Sequence, residues 1–236
     1  MRQKVHPNGI RMGVTKKTFS HWYAKNYEYT FFVEEDKKIR KYICKNSQTY
    51  IIIRIEIKRR VEGINIRIFS DKIGIFVGEK RKKIEKFRTE VKNKCRFYRE
   101  NYFRYNKNIF RKNTDTKLNI NPEIKIFIRQ FVRSKNESNY LAISIFFDLE
   151  KRIPFRRTIR IYQEKIQNIG GALGVRIQIS GRLNGSEIAR KEWVHRGRVP
   201  LNTFEVNLDY TYDIASTIYG LIGIKVSIFH KKKLKL

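Results

Sequence analysis

Ile53-Arg54-Ile55-Glu56-Ile57-Lys58 and Ile64-Asn65-Ile66-Arg67-Ile68 alternate apolar and polar residues on either side of the turn residues Val61-Glu62-Gly63. Successive side chains of a strand point to opposite faces, so each run buries its isoleucines and leaves its polar residues toward water. Together the two runs predict a hairpin. The period then changes. A short apolar link at 71–76 contains Gly74, and Gly78 follows it. From there Ile84, Phe87 and Val91 recur at spacings of three and four, which predicts a helix over 80–91. Upstream, 34–46 predicts another helix. Glu34, Glu35 and Asp36 stand at its start, where the helix dipole favours negative charge, and Ile39 and Ile43 share a face. Downstream, Ile124, Ile126 and Ile128 alternate with Lys125, Phe127 and Arg129, which predicts a third strand over 124–132.

The polar stretch 134–139 divides the chain into domains 1–133 and 134–236. The apolar segment 140–149 has a strand-like Ile/Phe content. Its length and its place before the basic turn Lys151-Arg152 favour a helix, which is the reading adopted. Pro154 opens a further helix over 155–169, and Gly170-Gly171 stops it. Strand-like runs follow at 174–181, 186–195, 203–212 and 221–229, with turns at Asn184-Gly185 and Arg198-Val199-Pro200. Residues 1–30 are turn-rich. Residues 92–119 are dense in Lys, Arg, Asn, Tyr and Phe without a clear period, and read as an insertion or a loosely ordered arm. No internal repeat is visible, and 231–236 is a basic tail.

Charge restricts the partners. Lys and Arg total 53 against 22 Asp and Glu, a formal charge of +31 on 236 residues. Self-repulsion at that level destabilises a compact free monomer, so the expected resting state is a complex with a polyanion. Nucleic acid leads that class; an anionic membrane surface comes second. A hydrophobic fraction of 41% with 13% aromatics is enough for a packed core and argues against a disordered chain. No run approaches the roughly 18 apolar residues that span a bilayer, so no spanning segment is expected; with nucleic acid leading, the partners expected include no membrane. The opening residues lack the apolar core of a secretory signal and a long Ser/Arg-rich leader, so no targeting segment is expected. Cys44 and Cys95 read as free thiols of a reducing compartment. Abundant Ile, Lys, Asn, Tyr and Phe beside sparse Ala, Gly and Pro fit an A+T-rich genome such as that of an organelle.

Three basic constellations stand out. In Ile75-Phe76-Val77-Gly78-Glu79-Lys80-Arg81-Lys82-Lys83-Ile84, a hairpin, a glycine turn and a basic amphipathic helix follow one another. That is the setting of a KH-type loop, in which a Gly-X-X-Gly turn brings backbone amides to phosphates. Here Arg81 replaces the second glycine, adding charge but crowding the close approach. The plainer reading is a capped helix with a solvated basic face. In Phe155-Arg156-Arg157-Thr158-Ile159-Arg160, Arg156 and Arg160 share a helix face with Arg157 beside them, suited to gripping successive phosphates or simply to solvation. In 181–201, Arg182, Arg190, Arg196 and Arg198 alternate with apolar residues, so one sheet face would be basic. Glu187 and Glu192 would neutralise part of it.

Catalytic patterns are weak. His6, His21, His195 and His230 are scattered, and neither cysteine stands at a metal-ligand spacing from them. There is no Walker loop and no nucleophile elbow. Asp148 and Glu150 diverge on a helix, and Asp209 and Asp213 lie in a strand-like run. No catalytic residue, metal ligand or cofactor is expected. A nucleic-acid-processing enzyme, an endonuclease or a helicase, is the alternative class, and it would need an acidic cluster or a nucleotide-binding loop.

Taken together, Gln3-Lys4-Val5-His6-Pro7-Asn8-Gly9-Ile10-Arg11-Met12-Gly13, Glu35-Asp36-Lys37-Lys38-Ile39-Arg40, 74–78, Phe155-Arg156-Arg157, the block 180–210 and Thr217-Ile218-Tyr219-Gly220-Leu221-Ile222-Gly223-Ile224-Lys225-Val226 carry a resemblance. The sequence resembles the small-subunit ribosomal protein S-three family of bacterial and organellar type, over nearly all its length outside 92–119. The forms at 35–40 and 217–220 look plastid-like; a mitochondrion is the alternative location. The resemblance implies an α+β chain: a type II KH domain, then a second α/β domain with two helices packed on a mixed sheet. It implies a structural role in the head of the small subunit, with small-subunit rRNA, mRNA and neighbours of the S-ten and S-fourteen families as partners. The family's residues that line the channel by which mRNA enters fall on Arg156, Arg157 and Arg160. Its Gly-X-X-Gly turn falls on Gly78-Glu79-Lys80-Arg81. The rRNA contacts expected from the resemblance and the constellations are Lys4, His6, Arg11, Gly78, Lys80, Arg81, Lys82, Lys83, Arg176, Arg182, Arg190, Arg196 and Arg198. The departing segment 92–119 interleaves Arg96, Phe97, Tyr98, Arg99, Tyr102, Phe103, Arg104 and Tyr105. It reads either as an RNA-binding arm or as a lengthened loop.

Overall fold

A computed structural model describes residues 5–45, 52–60, 63–71, 73–78, 81–105, 121–130, 137–168 and 172–231. The described residues of Phe19–Phe131 form one unit, and those of Met1–Thr18 and Val132–Leu236 form the other.

The contiguous unit runs β1 (Ser20–His21), α1 (Asn26–Lys45), β2 (Ile52–Arg59), β3 (Gly63–Ser70), α2 (Ile73–Val77), α3 (Lys82–Tyr105) and β4 (Glu123–Gln130). The expected hairpin is present. β2 and β3 pair antiparallel with Ile55 opposite Ile68 and Ile57 opposite Ile66. The link from β3 to β4 passes through helices, and a helical crossover returns the chain in the same direction, so β4 is parallel to β3. With β1 parallel to β2, the sheet is mixed, in the order β1-β2-β3-β4. Its inward isoleucines 55, 57, 64, 66, 68 and 124 meet Ile39 and Ile43 of α1 and Phe87, Val91 and Cys95 of α3 in one buried cluster.

Two helix boundaries differ from expectation. α1 starts at Asn26, well before Glu34. The acidic trio that resembles a helix start lies in the helix interior. There Glu35 and Asp36 are buried and accept from Arg59, and Glu35 accepts also from Arg99. α3 continues to Tyr105, so 92–105 is helical and not a loosely ordered arm. Val91, Cys95, Arg99 and Tyr102 prolong the three-to-four spacing, and Tyr102 and Tyr98 pack on the fully buried Phe31 ring at centroid distances of 4.5 and 5.4 Å. The pattern was masked because the chain buries an arginine where an apolar residue is usual. Residues 106–119 of that segment lie outside the described residues.

The second unit holds α4 (Ser138–Glu150), α5 (Phe155–Asn168), β5 (Ala172–Gly181), β6 (Arg190–Gly197), β7 (Leu208–Thr217) and β8 (Gly220–His230). The 140–149 segment is helical, with Leu141, Ala142, Ile145 and Leu149 buried on one side. The expected mixed sheet is instead wholly antiparallel, in the order β6-β5-β8-β7. Both helices precede all four strands, so no helical crossover exists to make two strands parallel. The helices cover one face, where Ile159, Tyr162 and Ile166 meet Val175, Ile177, Ile179, Ile224, Val226 and Ile228. β6 and β7 begin four or five residues later than the predicted runs. A 3-10 turn at Leu183–Gly185, with Asn184 at φ 56°, stands before the first. The second is preceded by a loop whose Leu201 and Thr203 carbonyls accept from Arg11.

The amino-terminal segment, expected with the first domain, belongs to this second unit. The Asn8 amide donates to the Tyr210 carbonyl at 2.7 Å, and Lys16 pairs with Asp209.

Candidate nucleic-acid interface

The expected cations separate into four settings. The first is the turn before α3. Gly78 has φ +67°, the left-handed region that favours glycine, and Arg81 shares it at φ +61°. Lys82 and Lys83 open α3, and with Arg81 they are exposed. Free N–H groups at that helix start add a positive field to the three cations. Lys80 lies outside the described residues, as does Lys4.

The second is α5. Phe155, Ile159, Tyr162 and Ile166 face the core at helical spacing, which turns Arg156, Arg157 and Arg160 outward. The third is β6. Arg196 pairs with Val175, and Glu192 with Ile179. Directly paired residues share a sheet face, so Arg196, Arg190 and Glu192 take the parity of the helix-covered side. They stay exposed or half-exposed because β6 is an edge strand. Glu192 binds Arg190 at 3.0 Å and approaches Arg156 of α5 at 3.7 Å, joining the second and third settings around one carboxylate. Arg182 donates to the Ser186 carbonyl at 3.0 Å, and Arg198 lies just beyond β6. A Cβ on Gly174 would sit 2.1 Å from the Arg198 carbonyl oxygen, so glycine at 174 permits that close passage. The four arginines therefore do not form one basic sheet face.

The fourth is the sheet face away from the helices, exposed at the row through Trp193 and Tyr212, which takes Arg176 alone of the expected set. Its guanidinium lies 5.2 Å from the Trp193 ring centroid. Sequence reading missed Lys191 and Lys225 on this face. The pairings Ser180 with Lys191 and Gln178 with Lys225 place them there, and only strand register could have revealed it.

Arg11 does not fit the expected role as an RNA contact. It is fully buried and donates to the carbonyls of Pro7 at 2.7 Å and of Leu201 and Thr203, each at 2.8 Å. Its two terminal nitrogens are spent on backbone acceptors and its Nε is buried without a partner, so the guanidinium is not presented to a phosphate. His6 is exposed, its ring edge-on to Tyr210 at 5.0 Å.

The carboxylates weighed for catalysis hold the fold. Asp148 accepts from the Tyr162 hydroxyl at 2.8 Å; burial, then that carboxylate, pushes the Tyr162 pKa up. Asp209 pairs with Lys16 and accepts from the Ser138 N–H. Burial raises the Asp213 pKa, opposed by the Ile214 N–H. Among the described residues no His/Cys/Asp/Glu group could hold a metal, and no helix is long and apolar enough to cross a membrane.

Residues 145–228 match the family model described as ribosomal protein S3, C-terminal domain, which puts the second unit in the class of ribosomal proteins. The whole chain matches the small ribosomal subunit protein uS3c of Mesostigma viride, 39% identical over 236 residues and all of both chains. It matches uS3c of Chlorokybus atmophyticus at 36%, covering 99% of this chain and 96% of that one. It matches uS3 of Gloeothece citriformis (strain PCC 7424) at 35%, covering 97% and 85%. The chain belongs to the ribosomal protein uS3 family, which is structural and not enzymatic.

Proposed function

We propose that the chain builds the head of a plastid small ribosomal subunit. There it docks on rRNA through its distributed cations and lines the channel by which mRNA enters. The observation that carries the channel role is the outward trio Arg156, Arg157 and Arg160 on α5, at positions where the family resemblance expects such arginines. Three guanidiniums on a helix anchored by its apolar side can hold successive phosphates without moving the core. The order α1-β2-β3-α2-α3-β4, with β4 parallel to β3, supports a type II KH reading of the first unit. The left-handed Arg81 at the second glycine position argues that its loop docks on RNA by charge rather than by close backbone approach. Neighbours of the S-ten and S-fourteen families complete the reading, and full-length similarity to two uS3c chains supports the plastid location.

Replacing Arg156, Arg157 and Arg160 together with Ala tests the channel role in reconstituted subunits. Translation should slow on mRNA with stable hairpins and keep its speed on unstructured templates. Equal slowing on both, or on neither, would remove the role. The rRNA reading has its own test: log affinity of the free protein should fall steeply with log salt, by about 0.7 to 0.9 per phosphate contact.

A further inference from the structure

Alternation along the antiparallel sheet sends Val175, Ile177 and Ile179 into the core and Arg176, Gln178 and Ser180 to the opposite side. Register then fixes what accompanies them. One row across the sheet reads Trp193, Gln178, Lys225, Tyr212, running from one edge strand to the other. Trp193 is 58% exposed and Tyr212 51%. Each ring has a cation against it: Arg176 is 5.2 Å from the Trp193 centroid and Lys225 is 5.7 Å from that of Tyr212. Lys191 adds a further cation to the face. Among the described residues no Asp or Glu shares it, since Glu192, Asp209 and Asp213 pair opposite core residues and take the other parity.

We infer that the exposed part of this face, the row from Trp193 to Tyr212, is a stacking platform for unpaired RNA nucleotides. The inference rests on the reading of the chain as an rRNA-binding ribosomal constituent, and it names a site that binds single strands rather than helices. Trp193 and Tyr212 stand three strand spacings apart, about 14 Å. A four-stranded sheet with exposed rings characteristically stacks two or three bases. Bases meet the ring faces, and phosphates between them meet Arg176, Lys191 and Lys225. A duplex offers its backbone but no free base face, so it uses only the cations. A protein partner suits the face less well. The core of a protein interface is depleted of charge, whereas here seating an apolar surface on either ring would strip water from the cation beside it.

The test compares a 12-nucleotide single-stranded RNA with the duplex of the same sequence on the full-length protein. Trp193→Leu and Tyr212→Leu should each weaken the single strand at least about fivefold and leave duplex affinity within about twofold. Binding of the single strand should quench tryptophan emission in wild type and not in W193L. Arg176→Gln keeps the ring and should lower the single-strand salt slope by about one, a second readout that leaves both rings in place. Equal losses on both RNAs, or none, would overturn the platform while leaving the rRNA reading intact. So would a photo-crosslinker at position 212 that captured protein rather than RNA in assembled subunits. Failure of wild type to bind either RNA would instead bring down the rRNA reading.

Discussion

Arg99 Nε donates to Glu35 Oε1 at 2.7 Å across 64 residues of sequence, with both side chains almost wholly buried. Glu35 also accepts from Arg59, which reaches Asp36 as well. The two acids of α1 are thus neutralised by one arginine of α3 and one of β2, tying the three elements together. Removing one member of such a buried group leaves another charge uncompensated. Glu35→Ala should lower the unfolding free energy by about 3–5 kcal/mol in urea titrations. The exposed pair Arg96–Glu100 is the control, and Glu100→Ala should shift it by no more than about 0.5 kcal/mol.

Arg81 holds a backbone conformation that non-glycine residues adopt at a cost of about 1–2 kcal/mol. Arg81→Gly should raise the melting temperature of the full chain, with a gain of about 1 kcal/mol after glycine's own entropic cost. Arg81→Ala should show no such gain. If the cation docks on RNA, both variants bind rRNA fragments with a shallower salt slope.

The Cys95 thiol is pushed up to about 12, first by burial and then by Glu35. A thiol that ionises more readily in the unfolded chain withdraws stability as pH rises. The loss begins near the ordinary thiol value of about 8.5 and is complete above the folded value. Unfolding free energy should therefore fall between those limits, by up to about 1.4 kcal/mol per pH unit from this group. Cys95→Ser should flatten that part of the curve. At neutral pH, alkylating reagents should modify exposed Cys44 and spare Cys95 until the unit opens.

Arg11 separates a structural arginine from an RNA contact. Arg11→Met keeps the bulk and deletes the donors to the carbonyls of Pro7, Pro200, Leu201 and Thr203. It should cost about 3 kcal/mol and speed amide exchange and proteolysis around 198–206. The salt slope of RNA binding at low temperature should stay unchanged.

The hairpin at 52–70 and the outward arginines of α5 were legible because one periodicity governed each, while α4 was legible from its length and its place before the basic turn Lys151-Arg152. Apolar residues went in and charges went out. Legibility failed where a charged residue behaved as core. Glu35 and Asp36 resemble a helix start, and Arg99 hides the continuation of α3, because local patterns treat charge as a surface mark. Arg11 was misassigned for the same reason. Its acceptors Leu201 and Thr203 lie 190 and 192 residues away, and a family motif does not show whether a guanidinium faces a phosphate or a carbonyl. The platform residues Lys191 and Lys225 escaped because their common face exists only through the pairing of β5 with both β6 and β8.

Arg11 meets its acceptor Leu201 across a separation of 190 residues, and the whole of Phe19–Phe131 lies between them. During synthesis the intervening unit emerges complete and can fold as its own chain is released. Arg11 cannot settle then: its partners Leu201 and Thr203 have still to be made. The birth order of the second unit is thus inside out, a residue made before Phe19–Phe131 settling after it.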